Sequence, residues 1–155
     1  LLVHSTAADS GVYKIPSSTF TTPAQVASRI HDSLANVTWG TYTPTLTNSS
    51  NIDASTAYPC QWMRVGNVVT VSGKVDIDPT SISTLTVLGI SLPIASTIAN
   101  DYEIGGTGAT HLVTGYSAAI FGDPTNDRVL FDFTTATDVA NRSWYFTFTY
   151  QILGS

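Results

Sequence analysis

Trp144-Tyr145-Phe146-Thr147-Phe148-Thr149-Tyr150-Gln151-Ile152 alternates without a break. Trp144, Phe146, Phe148, Tyr150 and Ile152 fall on one face, and Tyr145, Thr147, Thr149 and Gln151 on the other. Successive side chains of a strand point to opposite sides, so this period of two predicts a strand with one face against a core. The pattern recurs upstream. Val69, Val71, Val75 and Ile77 share a face opposite Thr70, Ser72, Lys74 and Asp76, and Val129, Phe131 and Phe133 alternate within 128–133.

Turn signals separate these runs. Gly66-Asn67 joins 61–65 to 68–77 as a tight hairpin, and Asp78-Pro79 ends the second arm. Residues 84–90 read as a strand closed by Leu92-Pro93, residues 109–121 as one long or two short strands, and Gly122-Asp123-Pro124 as a turn. Thr41 to Thr47 alternates around Pro44, which suits an edge or first strand, and the polar stretch 48–56 reads as turn. Seven or eight strands with no helices between them predict an all-β chain, an antiparallel sandwich of the jelly-roll type.

Composition narrows the surface. Charged residues are 11% of the chain, apolar residues 43%, and serine plus threonine number 41 of 155. Disordered chains combine few apolar residues with many charges, so this one is expected to fold. A surface of hydroxyls and amides suits burial against identical copies, where charges would meet their own images. A net charge of −5 and six scattered cations speak against nucleic acid as a partner. No apolar run approaches eighteen residues, so a soluble domain without membrane insertion is expected. Leu1-Leu2-Val3 opens without a methionine and reads as the start of a fragment.

One helix is expected, before the β-rich body. Thr22 suits an N-cap and Pro23 the first helical position, and Val26, Ile30, Leu34 and Val37 form a stripe at helical spacing. Such a stripe must pack on something. It lies either across its own sandwich or in a short three-helix bundle, where these four residues are the trimer-interface candidates. The division is then an extended head and helix over 1–38 and a body over 39–155.

Three motifs in order carry a resemblance: Trp39-Gly40-Thr41-Tyr42-Thr43-Pro44-Thr45-Leu46-Thr47, Trp62-Met63-Arg64-Val65-Gly66-Asn67-Val68-Val69-Thr70-Val71-Ser72-Gly73, and Leu92-Pro93-Ile94-Ala95-Ser96. Together with the helical entry they resemble C-terminal domains of phage tail proteins, in particular the knob of the trimeric tail needle of short-tailed bacteriophages. The resemblance covers roughly residues 22–155. It implies a tumour-necrosis-factor-like jelly roll assembled as a homotrimer, joined to the tail and portal machinery through an N-terminal shaft. It places the knob on the virion, at the distal end of the tail, where it contacts a component of the host envelope during attachment and genome ejection. It carries over no catalytic residue and no cofactor. The chain departs from the family in lacking a long heptad array.

The residues themselves offer little chemistry. His4, His31 and His111 have no metal-ligand spacing, so no metal site is expected. Asp76 and Asp78 share a face if extended, but Asp78-Pro79 makes a solvated turn the plainer reading. Gly105-Gly106-Thr107-Gly108 lacks the lysine and helix of a phosphate loop and reads as an inter-strand loop. Cys60 reads as a small buried hydrophobe. Three sequons, at Asn36, Asn48 and Asn141, are what a chain so rich in serine and threonine produces by chance. Trp39, Tyr42, Trp62, Tyr102 and Tyr116 fit no core face by alternation. Each can stack on a sugar ring or be buried in the sandwich or trimer seam. Three roles remain: a non-enzymatic tip that contacts the host envelope, a structural trimerisation cap, and a carbohydrate-binding or carbohydrate-active sandwich.

Overall fold

The computed structural model describes residues 37–111, 113 and 116–153. Over them the chain forms ten strands: β1 (Val37–Tyr42), β2 (Leu46–Ser50), β3 (Ile52–Ala57), β4 (Cys60–Val65), β5 (Val68–Pro79), β6 (Leu85–Ser91), β7 (Ile104–Ala109), β8 (Ser117–Asp123), β9 (Arg128–Thr134) and β10 (Arg142–Gln151). One helical turn, Asp101–Glu103, precedes β7. Among the described residues every strand pairing is antiparallel, in the order β1-β4-β5-β10-β7-β8-β9-β6-β2, with β3 beside the far half of β5.

β10 lies near the middle of this order, and its alternation reads as expected. Trp144, Phe146, Phe148 and Tyr150 are buried, while Tyr145, Thr147, Thr149 and Gln151 are exposed. Ile152 lies just past the strand, packed against the same core. Trp144, Phe148 and Tyr150 face Val75, Val71 and Val69 across the pairing with β5. Phe133 and Phe131 of β9 lie 4.3 and 5.4 Å from the Trp144 ring, although β7 and β8 separate β9 from β10 in the sheet. The sheet is therefore curled over on itself, and its inner faces form one core: an all-β antiparallel sandwich.

β7 makes the curl possible. Gly106 and Gly108 lie opposite Phe148 and Phe146. A Cβ on Gly108 would meet the Phe131 ring, with Cζ 2.6 Å away, and one on Gly106 would sit 2.6 Å from Phe148 Cβ. The absent side chain of Gly108 leaves the volume that the Phe131 ring of β9 occupies, and that of Gly106 lets the β10 backbone approach at Thr147 and Phe148. Gly105-Gly106-Thr107-Gly108 is thus a strand and not the loop expected, because small residues at a tight bend weaken strand propensity without forbidding the pairing.

The polar stretch 48–56 is also corrected. It is mostly strand, with β2 on β6 and β3 on β5, and the turn is confined to Asn51 at φ 55°. Asn51 Nδ2 donates to Ser81 O and to Thr86 Oγ1, and its Oδ1 accepts from Thr80 Oγ1 and Ser81 N. One amide thereby ties the β2–β3 turn to the β5–β6 connection across the end of the sandwich. Gly66, at φ 61°, forms the β4–β5 hairpin as anticipated.

Val37 is the first residue of β1, where the sequence suggested the end of a helical stripe. A β-branched residue two before Trp39 joins the strand's own alternation. The expected helix, with Val26, Ile30 and Leu34, lies outside the described residues.

Candidate recognition site on the outer sheet face

Where β1, β4 and β5 run side by side, the outer face carries two rows of side chains. Trp39 pairs with Met63 and Met63 with Thr70; Thr41 pairs with Gln61 and Gln61 with Ser72. These six residues, with Gly40 and Trp62 at one side, line an open groove of about 640 Å³. Beyond β5 the hydroxyl rows continue onto β10, where Thr70 and Thr149 are hydrogen-bonded at 3.2 Å. Behind the Trp39 row, Val37, Val65 and Val68 extend the same face as an apolar edge. Trp39 is 76% exposed, which is unusual for so large an apolar surface on a rigid strand.

None of the described residues that line it is charged. Arg64 turns away, its Nε donating to Gly66 O at 2.6 Å. Further along the outer face of β5, Lys74 is occupied over the Tyr58 ring and 3.3 Å from Asp76.

The five aromatic candidates separate. Trp39 stands in the groove wall and Trp62 is half-buried beside it, packed against the core. Gly40 lets the Trp62 ring approach, since a Cβ there would lie 3.1 Å from Nε1. Tyr42 is drawn into the fold: its hydroxyl donates to Ser91 O, and burial pushes the phenol pKa up. Tyr116 packs 5.9 Å from Trp144 and accepts from Ala136 N. Tyr102 is 78% exposed on the helical turn before β7 and does not line the groove. The sequence missed Thr41, Gln61, Met63, Thr70 and Ser72 as a group. Alternation places each on an outward face, but only the cross-strand register makes them neighbours.

Asp76 and Asp123 are engaged in the fold. Asp76 and Asp78 both belong to β5 and not to a solvated turn, and Tyr58 and Ser143 hydroxyls donate to Asp76 at 2.7 and 2.6 Å. Burial opposes these donors and Lys74, yet together they hold its pKa below the usual carboxylate range. Asp123 closes the β8–β9 turn, accepting from Asn126 Nδ2 and Arg128 Nε. Its pKa is likewise held down by these donors against the effect of burial. Asp132 differs. Burial raises its pKa, and Oδ1 is buried with no hydrogen-bond partner. Its cross-strand neighbours, Ala119 and Val87, bring no second carboxylate beside it. The Cys60 thiol is fully buried, its pKa pushed up by burial, the reverse of an activated nucleophile. Among the described residues no three of His, Cys, Asp and Glu come together as metal ligands, and no helix is long and apolar enough to cross a membrane.

No protein-family model and no curated protein matches the sequence. Among solved structures, the T1L reovirus attachment protein sigma1, crystallised with alpha-2,3-sialyllactose, is similar over 77% of this chain and 68% of its own, with 13% identity and a TM-score of 0.46. A likeness that distant carries no functional argument.

Proposed function

We propose that this chain is a non-enzymatic attachment head of a virion, of the kind found as the knob of a phage tail needle, and that it works as a homotrimer. The observation that carries the reading is the groove of β1, β4 and β5. It presents a largely exposed tryptophan on a rigid sheet, among hydroxyls and an amide and without a charge. Such a surface recognises; it has no polarised group with which to react. The motif series around Trp39, Trp62 and Leu92 supports the tail-needle assignment, and the scarcity of charge over the chain supports association of identical copies. In this reading the head sits at the distal end of the tail, linked to the tail and portal machinery by an N-terminal shaft. It engages the host envelope during attachment and genome ejection.

Three copies multiply a weak site by avidity. Light scattering on the purified protein should give about three times 16.5 kDa, and labelled protein should bind host cells. Virions built without residues 39–155 should assemble but eject DNA more slowly on the same cells. Unchanged ejection kinetics with impaired particle stability would replace this reading with that of a structural cap.

A further inference from the structure

We infer that the groove of β1, β4 and β5 is a binding site for a neutral saccharide, with the exposed face of Trp39 stacking on a pyranose ring; the inference rests on the attachment reading and names the ligand class of the same site. The rows are about 7 Å apart along a strand and about 5 Å apart across strands, which matches the footprint of one sugar ring.

The chemistry of the two rows differs in the way a sugar requires. Trp39 and Met63 offer an apolar wall to the C–H face of a pyranose, where an exposed indole also gains from its π-surface. Thr41, Gln61 and Ser72 form the other row. Their hydroxyls and amide each both donate and accept, as a ring of sugar hydroxyls does. All three are exposed, and among the described residues none has a hydrogen-bond partner in the protein, so their capacity is free for a ligand. Thr70 is half used, by Thr149.

The same lining disfavours other ligands. A wholly apolar ligand would strip water from the polar row and return nothing. A nucleic acid or an acidic sugar is held best by a cation, and the described lining has none, Arg64 and Lys74 being engaged elsewhere. A peptide strand would add along the free edge of β1, beside the groove, and not across its floor, where β4 is paired on both sides.

The test uses the whole chain and the methyl glycosides of glucose, galactose, mannose and N-acetylglucosamine as probes, with methyl glucuronide as the acidic comparator. At millimolar concentration at least one neutral glycoside should shift the Trp39 indole resonance, and the glucuronide should not. Trp39→Ala should weaken that binding roughly tenfold or more, and Gln61→Leu should weaken it several-fold while melting as the parent does. The inference is overturned if no neutral glycoside shifts Trp39, if the glucuronide binds as well, or if Trp39→Ala retains affinity. It is also overturned if Trp39→Ala dissociates the oligomer, because the groove would then be a seam between copies. Cell binding by the intact protein is measured in parallel. Cell binding that survives Trp39→Ala, with no glycoside shift, removes the sugar site and leaves attachment standing; a glycoside shift without cell binding removes attachment alone.

Discussion

β10 and β1 carry the same kind of sequence and meet opposite fates. Each alternates, and each has a tryptophan on one face. Trp144 of β10 is 1% exposed, wedged between Phe131 and Phe133, while Trp39 of β1 is 76% exposed. The difference is position in the sheet. β10 is flanked by β5 and β7, and the curl brings β9 across its inner face. Among the described residues β1 pairs with β4 alone, and the apolar residue of its alternation falls on the outer side. Alternation therefore tells which residues share a face, and it does not tell whether anything covers that face.

The sharpest way to break the comparison is to truncate both faces of β10. Phe146→Ala should cost about 3–5 kcal/mol, from lost burial plus a cavity. Thr147→Ala, on the exposed face, should cost about 1 kcal/mol or less, the value of its hydrogen bond to Val71 O. Equal sensitivity in chemical denaturation would mean that the strand register is wrong by one residue.

Next in size is the bend. Gly108→Ala should destabilise by about 1–3 kcal/mol, because the added methyl meets the Phe131 ring in a packed core. Thermal unfolding of this variant beside Gly105→Ala, where a Cβ meets nothing within 4 Å, isolates the steric cost from glycine's general effect on strands. Equal melting temperatures would refute the claim that rings fill the space above β7.

A smaller effect of opposite sign is expected at Asp132. Its pKa is raised on folding by burial, so its contribution favours the folded state below the unfolded value and is lost as pH rises through the folded one. At neutral pH the charged, half-buried group therefore costs stability. Asp132→Asn should stabilise at pH 7, and the gain should shrink as pH falls through the raised folded pKa and be lost below about pH 4, once the unfolded chain is protonated as well. A gain independent of pH would show that charge is not the cause.

The smallest effect belongs to Trp39. Trp39→Ala should change stability by no more than about 0.5 kcal/mol, as for a surface residue without partners. A loss of several kcal/mol would mean that Trp39 is covered in the assembled protein, and the contrast with Trp144 would collapse.

Much of the fold was legible. The strands around Val69, Phe131 and Phe146, and the Gly66-Asn67 turn, follow from period two and turn chemistry, both local. The errors fell where tertiary context decides. Residues 48–56 are polar because β2 and β3 lie at exposed positions of the sheet, which period and hydrophobicity cannot distinguish from a loop. Gly108 and Gly106 of β7 make room for the Phe131 ring and for the β10 backbone, and nothing within 104–109 announces those neighbours. Of the site, Trp39 and Trp62 were singled out by failing to fit a core face, whereas Tyr42 and Tyr116 failed in the same way and proved to be tied into the fold.

By itself the sequence determined the all-β class, the buried face of each regular strand, the tight hairpin at Gly66 and a surface poor in charge. These depend on the backbone's period, on the conformations open to glycine and proline, and on composition, all of which act over a few residues. The tertiary structure alone decided that β9 closes over β10, that Asp76 is held by Tyr58 and Ser143, and that Trp39, Gln61 and Ser72 share one groove. Those relations join residues on different strands, and they are set by strand register and by the curl of the sheet, which no local pattern encodes.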